Sequence, residues 1–225
     1  MKTRSFLMTT LCALMMGAGF ASCADEFDEW EQPDPDPLAK NLTYILNEGL
    51  WGANNASISS FFEIDGTPNV TANYYEVING QKMGDLANAM MEEDDNIYVV
   101  LNGSKYVAKL DMTTKEQVRH TFPQGEGEPR CIDVDYAYVT QYGGQVSKFN
   151  IKDMTLAGTF KGGDNLEGIV EKDGKLYVSN SYAVDGSNNW IYNDEVFVID
   201  AKTMTLEKTL KVACNPTKIY EFHDQ

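Results

Sequence analysis

Three stretches of the sequence decide the fold: NIYVVLNG (96–103), YAYVTQYG (136–143) and KLYVSNSY (175–182). Their aligned tyrosines, Tyr98, Tyr138 and Tyr177, are 40 and 39 residues apart. Each stretch is preceded by an apolar piece (LANAMM, RCIDV, LEGIV) and followed by two more (YVAKLD and EQVRHTF, QVSKFN and MTLAGTF, EVFVID and MTLEKTL). Four short strands in each repeat of about 40 residues are typical of a β-propeller blade. The sequence therefore predicts an all-β propeller of four-stranded antiparallel blades, with Asp or Asn capping the turns.

The number of blades follows from the two ends of the repeat region. Residues 41–94 contain three strands of a first blade (TYILNEG, ASISSFFEI, TANYYEV) and the inner strand of a second. The chain ends on NPTKIYEFHDQ, in which Ile219 aligns with Ile132 and Ile169 of two predicted inner strands. About four blades are therefore expected. Either the C-terminal segment supplies the missing inner strand and closes a small ring, or the chain is a truncated seven-bladed propeller, which is slightly favoured.

The N-terminus has the pattern of an export signal. Lys2 and Arg4 precede the uncharged stretch FLMTTLCALMMGAGFA, which is shorter than a membrane-spanning helix. The following Phe20-Ala21-Ser22-Cys23 resembles the lipobox of bacterial lipoproteins, in which the cysteine carries the acyl chains. We therefore expect a lipoprotein signal peptide over 1–22, lipidation of Cys23, an acidic Pro-rich linker over 23–40 and the propeller over 41–225.

The acidic residues immediately after Cys23 look like the export signal that sends Bacteroidetes lipoproteins to the outer face of the outer membrane. The expected location is therefore the outer membrane, facing the cell exterior. A formal net charge of −16 makes nucleic-acid binding improbable and leaves the lipid anchor as the only expected membrane contact. Cys131 and Cys214 could form one disulfide or remain two free thiols.

The residues that carry chemistry do not suggest an enzyme. The chain has only two histidines, His120 and His223, so a Ser-His-Asp arrangement or a histidine metal cluster is not expected. No pair of carboxylates stands out by position. We expect no enzymatic activity, no catalytic residues, no metal site and no cofactor.

The opening TYILNEGLWGANNASISSF, together with the LYV and VIDxxT repeats, resembles the YncE-like, YVTN-type β-propeller surface lipoproteins of Bacteroidetes. The resemblance covers about residues 41–222. Some members of that group capture vitamin B12 for a TonB-dependent outer-membrane transporter. It therefore implies a surface-layer-like propeller with a corrinoid ligand and, as a possible partner, such a transporter.

One face of the propeller is predicted to bind the ligand. In antiparallel four-stranded blades, the loops joining strand 2 to strand 3 and strand 4 to the next blade emerge on the same face. The two longest loops, 47–57 and 180–195, lie there, and each carries a Trp beside an Asn-Asn pair. The starts of the inner strands, including Thr217, should ring the channel mouth. The predicted ligand-binding residues are Asn47, Glu48, Trp51, Asn54, Asn55, Asn88, Arg130, Tyr142, Glu167, Tyr182, Trp190 and Tyr192.

Three functions remain open from the sequence. The favoured one is capture of a small polar ligand, since aromatic faces with amides suit a corrinoid or a glycan. The second is a structural or adhesive surface protein that binds other proteins. The third is a hydrolase on a propeller scaffold, in which Glu167 at the channel mouth would be the residue to test.

Overall fold

The middle strands of the blades are the most deeply buried parts of the chain, and the outer strands are largely exposed. The computed structural model describes residues 42–134 and 136–222; the predicted signal peptide, the Cys23 lipidation site, the whole predicted linker and His223 lie outside the described residues. In these described ranges the strands are β1 (Thr43–Asn47), β2 (Ser57–Ile64), β3 (Thr67–Thr71), β4 (Ala87–Glu93), β5 (Asn96–Leu101), β6 (Tyr106–Asp111), β7 (Glu116–Thr121), β8 (Pro129–Val134), β9 (Ala137–Gln141), β10 (Gln145–Phe149), β11 (Leu156–Lys161), β12 (Asn165–Lys172), β13 (Lys175–Val184), β14 (Trp190–Asp200) and β15 (Thr205–Lys211), and the helix is α1 (Tyr74–Asn79).

These strands form four antiparallel sheets in chain order. The first has three strands, β1-β2-β3, and each of the others is a four-stranded meander: β4-β5-β6-β7, β8-β9-β10-β11 and β12-β13-β14-β15. Every ladder is antiparallel, and the aligned tyrosines Tyr98, Tyr138 and Tyr177 all lie in second strands. The prediction of an all-β propeller with about four blades is confirmed.

Apolar layers between consecutive blades form the core. One layer joins the first and second sheets around Ile58 and Val99, one joins the second and third around Val100 and Phe149, and one joins the third and fourth around Leu176. Because each middle strand of the second and third blades contributes to layers on both of its faces, its sequence is apolar at consecutive positions rather than at alternate ones. This explains the sequence runs that predicted the fold.

The turns opposite the candidate binding face use the predicted side-chain caps. Asp111 Oδ1 accepts hydrogen bonds from the Thr113 and Lys115 amides at 2.8 and 3.1 Å. Asp200 Oδ1 accepts one from the Thr203 amide at 2.6 Å. These turns fix each hairpin and so the register of the next strand.

The first blade departs from the prediction. TANYYEV was expected to be its last strand, but that strand is β3, and residues 74–79 form α1. The cause is the Asp65-Gly66 turn, in which both residues have positive φ (50° and 75°) and Ile64 pairs with Thr67. A two-residue Asp-Gly turn of this kind starts the return strand at once.

The C-terminal segment also differs from the expected inner strand. Residues 216–222 have no strand structure, and no ladder of the described residues joins them to β1. They nevertheless lie beside β12, where Gly168 leaves room for them: a Cβ there would come within 2.8 Å of the Thr217 carbonyl oxygen. Asn215 Oδ1 accepts a hydrogen bond from Ser181 Oγ at 2.6 Å, which ties the segment to the fourth blade.

The two cysteines in the described residues do not form a disulfide. Cys131 and Cys214 are both free thiols, the first partly buried and the second exposed, so the disulfide alternative is not formed. Within the described parts of the chain, no helix has the length and apolar character needed to cross a membrane.

Candidate functional site

The inner strands surround a cavity of about 730 Å³. Its wall comes from β4, β8 and β12 and from residues 217–221, with Leu46 of β1 also contributing. The four residues predicted to ring the channel mouth, Asn88, Arg130, Glu167 and Thr217, all line this cavity. The C-terminal segment thus takes the fourth position around the channel without pairing as a strand.

Arg130 and Glu167 organise the channel mouth. Arg130 Nε donates to Glu167 Oε2 at 3.1 Å, and the Tyr142 hydroxyl donates to Glu167 Oε1 at 2.8 Å. The Arg130 guanidinium also lies over the Tyr142 ring, 5.0 Å from its centroid. Burial is the main cause that raises the pKa of Tyr142 well above its usual range, and contacts with the Tyr182 side chain and the Glu167 carboxylate raise it further. This phenol therefore stays neutral.

The segment 180–195, predicted to be a loop, is a hairpin that extends the fourth blade. Tyr182 pairs with Tyr192 and Val184 with Trp190 as β13 and β14 continue beyond the blade. Asp185 caps the turn: its Oδ1 accepts hydrogen bonds from the Ser187 and Asn189 amides at 2.8 and 2.9 Å.

The turn itself explains the neighbouring Asn-Asn pair. The Asn189 side chain donates to Asp185 Oδ2 at 3.0 Å, and Asn188 has a φ of 61°. Hydrogen bonds from Asn189 and Ser187 lower the pKa of Asp185. Both asparagines are therefore accounted for by turn geometry.

The extended hairpin presents a row of rings that starts at the channel mouth. We call Tyr142, Tyr182, Trp190 and Tyr192 the aromatic strip. The Trp190 and Tyr182 rings are stacked with centroids 4.6 Å apart and planes 4° apart, while Tyr142 meets Tyr182 edge-on at 5.9 Å and Tyr192 meets Trp190 edge-on at 6.4 Å. Trp190 is 60% exposed and Tyr192 51%. Packing against one another holds these rings in place although much of their surface faces solvent.

A carboxylate and an amide bond to each other at the base of the extended hairpin, and the sequence did not single them out. Asp164 Oδ2 accepts a hydrogen bond from Asn193 Nδ2 at 3.1 Å, and the Asp164 amide donates to Asn180 Oδ1 at 3.0 Å. Asn165, the next residue, pairs with Tyr182 across the ladder. The available signal was position: Asp164 lies in a loop predicted on the binding face, and Asn193 directly follows Tyr192.

The loop 47–57 forms a separate group. The Asn47 side chain donates to Ser59 Oγ at 2.8 Å within the blade, and Asn55 Oδ1 accepts from the Leu50 amide at 2.8 Å. Trp51 is 72% exposed, and in the described ranges no ring packs against it. Asn54, with a φ of 51°, serves the turn.

Glu48 and Asn88 link this loop to the channel. Asn88 Nδ2 donates to Glu48 Oε1 at 3.0 Å, and Asn88 lines the cavity. Of the twelve predicted residues, the structure brings six into one connected set: Arg130, Glu167 and the aromatic strip. The side chains of Asn47 and Asn55 make hydrogen bonds to other residues of the first blade and its loop.

In the described residues, potential metal ligands are not clustered, and the histidine packs against aromatic rings. In 42–134 and 136–222, no three His, Cys, Asp or Glu side chains are placed to hold a metal ion. His120 packs against the Phe122 and Phe149 rings at 5.2 and 4.7 Å, away from the channel mouth.

Fold and site together define a class: a propeller-like all-β protein with a row of aromatic rings on an extended fourth blade. Residues 41–221 match the family described as Domain of unknown function (DUF5074), and the chain belongs to that family. No curated protein sequence matches it.

Several solved structures resemble the chain in fold. The computationally designed Ika8 protein has a TM-score of 0.56 at 11% identity, over 81% of this chain and 52% of that one. Apo AztD from Citrobacter koseri has a TM-score of 0.50 at 13% identity, over 80% and 47%. Myxococcus xanthus glutaminyl cyclase has a TM-score of 0.42 at 10% identity, over 70% and 62%. The chain thus spans about half to three fifths of the length of these structures.

Proposed function

We propose that this protein is a non-enzymatic capture protein that binds a small polar, ring-bearing ligand at the aromatic strip. The observation that carries the proposal is the row of exposed rings running from the channel mouth along the hairpin. Trp190 and Tyr192 each leave about half or more of their surface in solvent, yet each is held by a neighbouring ring. Pre-ordered aromatic surface lowers the entropic cost of binding a ligand face.

The arrangement at the channel mouth supports binding rather than hydrolysis. Both carboxylate oxygens of Glu167 are engaged, one by Arg130 and the other by the Tyr142 hydroxyl. A carboxyl group that acts as general acid or base must reach the substrate, whereas both oxygens of Glu167 are already occupied by protein donors. Glu167 therefore suits a positioning role that fixes Tyr142 at the start of the aromatic strip.

The cellular setting is part of the proposal. In this proposal Cys23 is lipidated and anchors the protein in the outer membrane, facing the cell exterior. There it hands its ligand to a TonB-dependent transporter. The resemblance to YncE-like surface lipoproteins names a corrinoid as one ligand, and a glycan is the other ligand class that the rings and amides suit.

The test is ligand-dependent stabilisation of the full chain. A ligand that binds only the folded protein raises the melting temperature with concentration. We expect either cyanocobalamin or a panel of neutral oligosaccharides to raise it. Trp190→Ala should abolish the rise, while the matched control Trp51→Ala, which removes a more exposed indole with no ring packed against it in the described ranges, should keep it. Equal loss in both variants, or no rise with either ligand class, would contradict the proposal.

A second function has one observation in its favour. Val184 and Ile191 are 47% and 52% exposed and occupy adjacent register positions in the two strands of the extended hairpin, so apolar surface is present on both of its faces. Such a tip suits an adhesive role in which the hairpin inserts into another protein. A cross-link from Ile191→Cys to a surface protein, formed without any small ligand, would favour this function.

A further inference from the structure

The fourth blade lacks the cover that the second and third blades receive from the blade after them. Tyr98 and Tyr138 are 1% and 2% exposed, because each points into the apolar layer shared with the next blade. The aligned Tyr177 is partly exposed. Its neighbours in β13, Leu176 and Val178, pack toward the third blade, so Tyr177 points to the opposite face. The three apolar layers in the described ranges join consecutive blades, and none of them lies on this outer face.

The first blade also has an open outer face. Tyr44 and Leu46 of β1 pack against the second blade, so Ile45 between them points away from it. Ile45 is 47% exposed. Val70 pairs with Phe61 on this same face and is 64% exposed. Each end of the series of blades therefore presents a sheet face that no other described blade covers, and apolar faces of this kind mark interaction surfaces.

The two end blades are complementary in their strands. β1 corresponds to a second strand, and no inner strand pairs with its free edge in the described residues. Residues 216–222 follow β12 in the direction of an inner strand. Thr217 lies against Gly168 near the start of β12, and Glu221 bonds to Lys172 at its end, 2.5 Å away. Since no described second strand pairs with 216–222, one end of the chain carries the kind of strand that the other end lacks.

The contact between the third and fourth blades shows what the outer face of the fourth blade would meet. Lys208 and Gly158 hold equivalent positions in fourth strands, each opposite the residue two places before the turn cap. A Cβ on Gly158 would lie 3.1 Å from Met204, in the turn between the third and fourth strands of the next blade. Lys208 should therefore face the same turn of a first blade. That turn carries Glu63 and Asp65, which are exposed and opposite in charge to Lys208.

We propose that two copies of this chain close one eight-bladed ring, with the fourth blade of each copy packed on the first blade of the other. Residues 216–222 of each copy then supply the inner strand that pairs with β1 of the second copy. Ile45 and Tyr177 stay exposed in the single chain, so its own four blades do not cover these faces. A twofold axis uses both pairs of end faces, and association stops at two copies. This inference goes beyond the proposed ligand capture and does not depend on it.

The test is the mass of the full chain, measured by light scattering during size-exclusion chromatography over a wide range of concentration. We expect particles of two copies that dissociate on dilution. Ile45→Glu, which places a charge on the outer face of the first blade, should raise the dissociation constant of the dimer by about tenfold or more. The matched control Leu156→Glu changes a similarly exposed side chain (51%) in the third blade and should leave the dimer unchanged. Circular dichroism checks that both variants remain folded.

Two further readouts test the arrangement of the interface. Lys208→Glu should weaken the dimer by about tenfold, and adding Glu63→Lys to that variant should restore most of the loss, because the charges are then exchanged. Hydrogen exchange should be slower in 43–47 and 216–222 of the dimer than in the same residues of the Ile45→Glu variant.

Each contrary result has a definite meaning. A single-copy mass at every concentration would overturn the proposal, and so would particles that grow beyond two copies. A dimer that Ile45→Glu leaves intact would place the interface elsewhere. A dimer whose residues 43–47 exchange as fast as those of the variant would overturn the strand donation.

Discussion

The ion pair at the channel mouth allows a quantitative test of how well the site is ordered. We consider Glu167→Gln, which removes the charge but keeps an acceptor for Tyr142, together with Arg130→Met, which keeps the aliphatic stem. The two side chains are 25% and 14% exposed, Arg130 and Glu167 respectively. Exposed pairs contribute about 0–1 kcal/mol, while breaking a buried pair costs about 3–5 kcal/mol.

This pair lies between those limits, so each single variant should lower the free energy of unfolding by about 2 kcal/mol. For a domain of this size, that is a fall in melting temperature of about 4–8 °C. The double variant should lose less than the sum of the two, because it leaves no unpaired charge at the mouth. We therefore expect a coupling energy of about 1–2 kcal/mol from the double-mutant cycle.

The assay is urea unfolding of the four proteins, followed by far-UV circular dichroism. Tyr142→Phe is the control, since it removes only the hydroxyl bond to Glu167 and should cost about 1 kcal/mol. A coupling energy below about 0.5 kcal/mol would show that water screens the pair as on an open surface. In that case Glu167 does not hold Tyr142, and the start of the aromatic strip is not fixed as described.

Three further predictions concern the scaffold. Phe149→Ala removes a fully buried ring that contacts His120 and Phe122, and urea unfolding should show a loss of about 3–5 kcal/mol; a loss below about 1 kcal/mol would contradict the described core. Gly168→Val would push the Thr217 carbonyl away, so hydrogen exchange in residues 213–222 should accelerate while the sheets stay protected; unchanged exchange would refute that contact. Burial lowers the pKa of His120 below its ordinary value near 6.5. Below that pH the unfolded chain binds more protons than the folded one. The contribution of His120 to the free energy of unfolding is therefore complete above about pH 6.5 and is lost as the pH falls toward the folded pKa. A His120→Gln variant should lack this slope between pH 7 and 5, and an identical slope in that variant would assign it to other groups.

Much of the fold could be predicted because the repeat fixes burial as well as strand spacing. Tyr98, Tyr138 and Tyr177 mark second strands, and such strands are packed on both faces, which makes their sequences apolar at consecutive positions. The Asp111 and Asp200 caps are local and follow from short-range chemistry. Features that repeat from blade to blade could therefore be predicted without knowledge of tertiary contacts.

The features that differ from the prediction arise from contacts between residues distant in the sequence or from a local turn. The Asp65-Gly66 turn was visible in the sequence and should have moved the third strand forward. The path of the C-terminal segment was not visible, because its alignment with Ile132 and Ile169 said nothing about the Ser181–Asn215 bond that holds it on the fourth blade. The stacking of Tyr182 on Trp190 likewise needed the hairpin register.

The candidate site lies where the chain departs from its own repeat. The caps at Asp111 and Asn150 are 39 residues apart, but Asn150 and Asp200 are 50 apart, and the additional residues form the extended hairpin. Regular blades bury their second strands against neighbours and leave no ring surface for a ligand. An extension beyond the blade has no neighbouring sheet, so the surface of Trp190 and Tyr192 stays in solvent while β13 and β14 keep it rigid. The proposed binding surface therefore comes from the irregular part of the fourth blade, and the regular blades hold it in place.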